Sequence, residues 1–346
     1  MAENPKLSVC IPTYNRAGYI GDALESVVSQ YEKSWDGKVE ICVSDNASTD
    51  DTEKVVSSIQ AKNRVPLVYS KNEKNLGFDR NLLKVASLAR GKYCWFLGDD
   101  DIIEPGGIAQ ILEVLEKEKN LSGISVKQNG YSNDLKHKIF LRSPLPNQSH
   151  VYQNAEAAFQ ALALYFGYVS GQIINRDLWN RVVNESPVQN YFNALVHVYV
   201  IGKMLRLNPE WMYLSAPLVG WRSGNDSFLS ELGRYHYFEL YVVGYRDIAL
   251  GVFGKGLTYH YVMSRVCTHY IRMHFMTARS ENASAGFFLK AFKLCVKNYW
   301  RYPDFWFKTF PLFLMPSWFY KLIRSLYRLT LKKRLLKEQG LAPCRR

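Results

Sequence analysis

Three consecutive aspartates, Asp99, Asp100 and Asp101, end the run "KYCWFLGDDDII" directly after a stretch of apolar and aromatic residues. Adjacent carboxylates repel one another, and placing them at the end of a buried strand adds a desolvation cost. A hard divalent cation with oxygen ligands, Mg²⁺ or Mn²⁺, reverses both. The plain alternative is a solvated acidic turn, with Pro105 and two glycines following. Position favours the cation, because the aspartates follow an apolar strand rather than a polar stretch. A further carboxylate, Asp45, stands in the same way at the end of "VEICVSD". Together they outline a pocket for a nucleotide with its metal: Asp45 accepts hydrogen bonds from a base or ribose, and Asp99 to Asp101 hold the cation against a diphosphate. Neither G-x-G-x-x-G nor G-x-x-x-x-G-K-[ST] occurs after the first strand, which disfavours a dinucleotide fold or a P-loop.

The elements that must position these groups alternate between two periods. "KLSVCIP", "KVEICVSD", "PLVYSKN" and "GKYCWFLG" read as strands. "GYIGDALESVVSQ", "STDDTEKVVSSIQAK" and "RNLLKVASLAR" read as the helices between them, the second with a Ser/Thr/Asp start suited to an N-cap. This βαβαβαβ order predicts an α/β domain with a mostly parallel sheet flanked by helices. In such sheets ligands sit beyond the carboxyl ends of the strands, where "PTYNR", "SDNASTD" and "GDDD" all fall. "GISVKQNGYS" and "SGQIINRDLW" predict later strands, "FNALVHVYVIGKMLRL" a mostly buried helix, and "EWMYLSAPLVGWRSGNDS" a strand pair ending in a polar loop.

Charge divides the chain unevenly. Residues 254–346 carry 18 Lys plus Arg against three Asp plus Glu, so the formal +13 of the whole chain is concentrated there and the first 253 residues sum to −2. This segment is rich in aromatic residues, and Lys308, Pro311 and Pro316 interrupt its most apolar stretch, "FWFKTFPLFLMPSWFY". A membrane-spanning helix is thereby disfavoured. Trp306, Trp318 and Tyr320 with Lys321, Arg324 and Arg328 suit an interfacial position at an anionic membrane instead. Nucleic acid is the weaker partner, because no recognised binding motif accompanies the charge; a packed helical subdomain with a basic rim is the third option. The six cysteines include no C-x-x-C pair, and three lie in strand-like runs, which predicts reduced thiols without zinc or disulfides. The N-terminal residues show no signal-peptide pattern, so the expected location is cytoplasmic, attached peripherally to the inner face of the cytoplasmic membrane.

The blocks "LSVCIPTYNRAGYIGDALESVVSQ", "VEICVSDNASTDDT" and "NLGFDRNLLKVASLARGKYCWFLGDDD", in this order across residues 7–104, resemble the nucleotide-sugar half of the family 2 glycosyltransferases of GT-A fold. "LGDDD", "GQIINRDLW" and "HVYVIGKML" resemble the branch that includes abequosyltransferases and related O-antigen sugar transferases. The resemblance implies that Pro12, Tyr14 and Arg16 line the nucleotide pocket, that Asp45 contacts the base, and that Asn75, Gly77, Arg80 and Asn81 form the loop and helix start beside it. Gly98 stands where the common D-x-D pattern begins, and Asp99 with Asp101 are taken as the metal pair, Asp100 lying close. An acidic E-D pair supplies the usual base on the acceptor side; here that position holds His197, a base or a packed histidine. Arg222 falls where relatives carry a basic residue over the diphosphate, or else forms an ordinary ion pair.

The expected domains are a GT-A domain over 1–234, with a nucleotide-binding half (1–104) and an acceptor half (105–234), and a basic, aromatic helical extension over 235–346. The expected activity is metal-dependent, inverting transfer of a sugar from a nucleotide-sugar donor to a lipid-linked glycan acceptor, in O-antigen-type biosynthesis. A sugar nucleotidyltransferase and a non-catalytic nucleotide- or nucleic-acid-binding module are the alternatives. Donor base, acceptor and oligomeric state are open.

Overall fold

The computed structural model describes residues 4–62, 64–139, 145–225, 227–316, 318–322 and 325. Two compact units form: residues 1–135 with 141–222, and residues 136–140 with 223–346.

The first unit begins with β1 (Leu7–Thr13), α1 (Ile20–Val28), β2 (Val39–Asp45), α2 (Thr52–Gln60), β3 (Leu67–Lys71), α3 (Phe78–Leu88) and β4 (Tyr93–Phe96), the order the sequence predicts. Every residue of β1, β2 and β4 is buried, as expected of strands covered on both faces. Helix α1 turns Ile20, Ala23, Leu24 and Val27 inward at helical spacing. Next come β5 (Ile102–Ile103), α4 (Gly107–Lys117) and β6 (Gly123–Tyr131); β7 (Lys138–Ile139) belongs to the second unit. The first unit ends with β8 (His150–Tyr152), α5 (Ala155–Phe166), β9 (Gln172–Asn175), α6 (Arg176–Glu185), α7 (Val196–Leu207) and β10 (Trp211–Arg222).

Its sheet runs in the order β3-β2-β1-β4-β9-β6-β10-β5. Strands β3, β2, β1 and β4 are mutually parallel, and β6 is parallel to β10. Strand β9 is antiparallel to both β4 and β6. The start of β9 therefore lies at the same end of the sheet as the carboxyl ends of β1 to β4. The direction of the order reverses between β1 and β4, where open sheets form their crevice. The strand pair predicted around "SAPLVGW" is one long strand, β10. Its register against β6 shifts on both sides of Pro217, which has no N–H for the ladder, so the chain bulges instead of turning.

The second unit is helical: α8 (Ser227–Glu239), α9 (Tyr245–Phe253), α10 (Leu257–Arg265), α11 (Arg272–Ser280), α12 (Ala285–Tyr299) and α13 (Phe310–Leu314), with π-helical turns at Leu240–Gly244, Val266–Ile271 and Phe305–Thr309. Gly233 (φ 74°, ψ 157°) breaks α8 into two helical pieces directly before the boundary expected at 234, while the second unit begins at 223. Phe238, Phe275, Phe287, Tyr299 and Phe305 are buried together with small residues such as Ala278 and Ala291. Trp300, Trp306, Phe307, Leu314 and Trp318 are exposed. Among the described residues, no helix is long and apolar enough to cross a membrane. Arg324, Arg328 and Cys344 lie outside the described residues.

Candidate active site

The loops after β1, β2 and β3 are held together by their own polar groups. Asn15 and Ala47 adopt left-handed backbone angles (φ 52° and 66°) that turn the chain sharply at the ends of β1 and β2. The Asn15 amide donates to Ser48 Oγ at 2.8 Å, the Thr49 amide to Asn15 Oδ1 at 2.8 Å, and the Arg16 amide to Thr52 Oγ1 at 3.0 Å. Buried Asp45 accepts from the Ser48 amide at 2.8 Å and from the Tyr69 hydroxyl at 2.6 Å. Tyr69 is thereby held in its phenol form, its pKa raised by burial and by the Asp45 carboxylate. Asn81 is buried and fastens strand ends: its amide donates to Ser44 O at 3.0 Å, and its Oδ1 accepts from Ser44 Oγ and Asn72 Nδ2 at 2.8 and 3.0 Å.

Of the other residues assigned to the nucleotide side, Pro12 is buried within β1 and Tyr14 is 37% exposed at its end. Asn75 accepts from Asn46 Nδ2 and from the Gly77 amide, each at 2.8 Å. Gly77, with φ 79°, opens α3 in a conformation that disfavours side chains. The Arg80 guanidinium lies 4.8 Å from the Phe192 ring centroid. The structure thus brings Pro12, Tyr14, Arg16, Asp45, Asn75, Gly77 and Asn81 to one end of the sheet, while Arg80 turns its charge toward an aromatic ring.

Between β4 and β5, which pairs with the far side of β10, the sheet places β9, β6 and β10; the three aspartates lie on the connection from β4 to β5. Asp101 is only 3% exposed. Its Oδ2 accepts from the Tyr168 hydroxyl at 2.8 Å and from Ser170 Oγ at 2.6 Å, and its Oδ1 accepts from the Arg222 amide at 3.1 Å. Ser170 in turn accepts from the Gly98 amide at 2.9 Å. Asp99 faces Arg16, with Oδ1 3.7 Å from Nε. Burial, and after it the charge of Asp100, pushes the Asp99 and Asp101 carboxyls up to about 7. Gly98 has a local reason: a Cβ there would stand 3.1 Å from both Asp100 Oδ1 and Ser170 Oγ.

Among the described residues, no group of three or more His, Cys, Asp or Glu side chains is arranged to hold a metal ion. Mg²⁺ in nucleotide sites uses one or two carboxylates, completing its shell with phosphate oxygens and water. An all-oxygen donor set fits that chemistry, and the buried, mutually repelling carboxyls of the loop carry the negative charge that a cation would balance. The expected Asp99–Asp101 pair is unevenly placed: Asp101 faces inward and accepts three hydrogen bonds, whereas Asp99 faces Arg16.

Arg222 is 4% exposed, and each of its three guanidinium nitrogens donates to a protein group. Nε donates to Asp100 O at 2.8 Å, Nη1 to Asn133 O at 2.7 Å and Nη2 to Asp22 Oδ2 at 2.6 Å. The expectation of a side chain lying over the diphosphate does not match this inward clamp. His197, in the first turn of α7, is 1% exposed and meets Phe78 edge-on, ring centroids 6.2 Å apart. Neither ring nitrogen reaches hydrogen-bonding geometry. Burial lowers its pKa to about 4, and the nearby backbone of Gly167 and Phe166 opposes this only in part. A general base must touch the hydroxyl it activates, so burial argues against the base role considered for His197.

Sequence reasoning passed over Tyr168, Ser170, Asp22 and Tyr19, which brace the acidic loop, and Asp79. The Asp79 carboxylate accepts from the Ala194 and Val196 amides at 2.8 and 3.1 Å, capping the start of α7 from α3. Tyr19, Asp22 and Asp79 lie inside the blocks that carry the family resemblance without being singled out there, and Tyr168 and Ser170 stand in "YVSG" just before β9, outside those blocks.

A family model for glycosyl transferase family 2 matches residues 8–182, just over half of the chain. The chain belongs to that family. It is a glycosyltransferase, which sets aside the nucleotidyltransferase and binding-module alternatives. It is 29% identical over 265 residues to an abequosyltransferase, RfbV, of Salmonella typhimurium, covering 73% of this chain and 77% of that protein. A GalNAc(5)-diNAcBac-PP-undecaprenol beta-1,3-glucosyltransferase of Campylobacter jejuni is 33% identical over 132 residues, covering 34% of this chain and 41% of that protein. Among solved structures, TarS of S. aureus in complex with UDP-GlcNAc superimposes with a TM-score of 0.59 at 15% identity, covering 86% of this chain and 82% of that one. The mannosyltransferase PcManGT of Pyrobaculum calidifontis, in complex with GDP-Man and Mn²⁺, gives a TM-score of 0.54 at 13% identity over 95% of this chain and 88% of that one. The transferase thus has the GT-A fold, with an α/β sheet flanked by helices and further helices after it.

Proposed function

We propose that this transferase moves a sugar from a nucleoside-diphosphate sugar, with inversion and with the help of Mg²⁺ or Mn²⁺, to a lipid-linked glycan acceptor in O-antigen-type polysaccharide assembly. The observation that carries the reading is the meeting of the Asp99–Asp101 loop with the β1 loop at the reversal point of the sheet, where Arg16 reaches Asp99. Pro12, Tyr14, Asp45, Asn75, Gly77 and Asn81 shape the nucleoside end, and Arg16 sets a positive charge beside the acidic loop. Asp99 and Asp100 would hold the cation, which supplies charge neutralisation of the departing diphosphate. Asp101 holds the loop in place through Tyr168, Ser170 and Arg222. The protein's further task is to fix acceptor and donor in line. The named lipid-linked acceptor of the Campylobacter relative and the abequosyltransferase likeness support the acceptor class.

Attachment of the helical unit to the cytoplasmic face of the membrane is part of the same proposal. Exposed Trp306, Phe307, Leu314 and Trp318 accompany the excess of Lys and Arg, a combination that suits an anionic bilayer surface. Incubating the protein with UDP-, GDP-, CDP- and dTDP-sugars and an undecaprenyl-diphosphate-linked acceptor, with and without Mn²⁺, tests the activity. Metal-dependent release of nucleoside diphosphate with glycosylated lipid is expected; turnover unaffected by chelation would remove the metal from the mechanism, and no transfer from any donor would remove the acceptor class. Flotation with anionic vesicles tests attachment, and a Trp306→Ser/Phe307→Ser variant that floats as well as the wild type argues against it.

A further inference from the structure

We infer that Arg222 is a positioning residue that sets the acidic loop from inside the fold and does not touch the diphosphate, an inference that rests on the donor-site reading above. Its contacts reach three separate stretches of chain. The backbone amide holds the Asp101 carboxylate at 3.1 Å, and the side chain holds the Asp100 carbonyl at 2.8 Å, so one residue grips two successive members of the loop. The remaining guanidinium nitrogens anchor that grip elsewhere: Nη1 on the Asn133 carbonyl just after β6, and Nη2 on the Asp22 carboxylate of α1. The guanidinium carbon also lies 5.1 Å from the Tyr19 ring centroid, and Arg16, which faces Asp99, lies 5.4 Å from the same ring. The loop is therefore gripped by Arg222 at Asp100 and Asp101 and approached by Arg16 at Asp99, with Tyr19 beside both cations.

Three acceptors in three directions require a rigid, planar fork. Lysine keeps the charge but offers its donors from a single point and cannot span them. The salt bridge to Asp22 also offsets the Arg222 charge, so at 4% exposure little of it is available to a ligand. Removing the fork leaves the charge and shape of Asp99 and Asp100 unchanged but frees the peptide that orients them.

The test is calorimetric titration of the full chain with UDP, CDP and GDP, each with Mn²⁺, followed by the tightest of these against Arg222→Lys, Arg222→Ala, Asp22→Asn and the double variant Arg222→Lys/Asp22→Asn. Circular dichroism confirms that each variant is folded at the temperature used. Loss of the fork is expected to weaken binding by about tenfold or more in Arg222→Lys, close to the effect in Arg222→Ala. Asp22→Asn is expected to weaken it by roughly threefold, and the double variant to bind no worse than Arg222→Lys, because both changes cut one strut. Wild-type affinity in Arg222→Lys with a large loss in Arg222→Ala and none in Asp22→Asn is the signature of a direct charge contact, and overturns the inference. If Arg222→Ala does not fold, Arg222→Lys and Asp22→Asn decide alone. If the wild type binds none of the diphosphates with Mn²⁺, the donor-site reading falls and this inference with it; tight wild-type binding with a silent Arg222→Lys leaves the former standing and removes only the latter.

Discussion

Replacing His197 with glutamine, close to it in size and without a titratable ring, should make the protein more resistant to acid while leaving turnover largely intact. Burial lowers the ring from its ordinary 6.5 to about 4. Because the folded value lies below the unfolded one, the unfolded chain takes up the proton first. Stability is therefore complete above pH 6.5 and is lost as the pH falls through that value toward 4. The full loss is ~3 kcal/mol below pH 4, of which ~2 kcal/mol has already gone at pH 5, at about 1.36 kcal/mol for each tenfold change in proton affinity. Urea unfolding of both proteins at pH 8 and pH 5 isolates this contribution, since the other titrating groups are common to the two. The wild type should lose roughly 2 kcal/mol more than the variant between the two values. Equal losses would show that the ring is not held neutral by burial. A fall in kcat of about a hundredfold or more at pH 7.5, with stability retained, would restore His197 to the chemistry.

Three further outcomes follow from the same geometry. Ser170→Ala removes the hydroxyl that links the Gly98 amide to Asp101, and should weaken Mn²⁺-dependent nucleoside diphosphate binding by about tenfold, with Tyr168→Phe milder because Ser170 remains; calorimetry measures both. Gly98→Asp restores the aspartate usual in the family but crowds Asp100 and Ser170, so it should cost ~1–3 kcal/mol in urea unfolding without tightening Mn²⁺ binding; tighter binding would contradict the packing argument. Glu40→Ala should destabilise by ~2 kcal/mol, because it removes the acceptor of Ser8 Oγ, the Arg90 amide and the Arg90 guanidinium. Its nucleotide affinity should match the wild type, since Glu40 lies five residues before Asp45 along β2, ~17 Å from the loops.

The first hundred residues announce their own architecture because the cues are local. Apolar runs such as "VEICV" bury on both faces, the helices between them carry apolar residues at helical spacing, and polar turns end each strand, so the parallel order and the site end of the sheet can both be read before any contact is known. For the same reason Asp45 and the aspartates of "GDDD" declare themselves: charges stand where apolar strands stop. What only the tertiary structure decided is which aspartate faces which partner. Strand β9 runs against β4, bringing Tyr168 and Ser170 up to Asp101 from 67 and 69 residues away, and β10 ends beside the same loop, bringing Arg222 from 121 residues away. No periodicity encodes the direction of a distant strand or a pairing of that separation. His197 and Arg222 show the limit most plainly, because residue type alone allows chemistry at both, whereas the packing of α7 against α5 and α6, with Phe78 against the ring, and the three acceptors around the guanidinium turn both side chains inward.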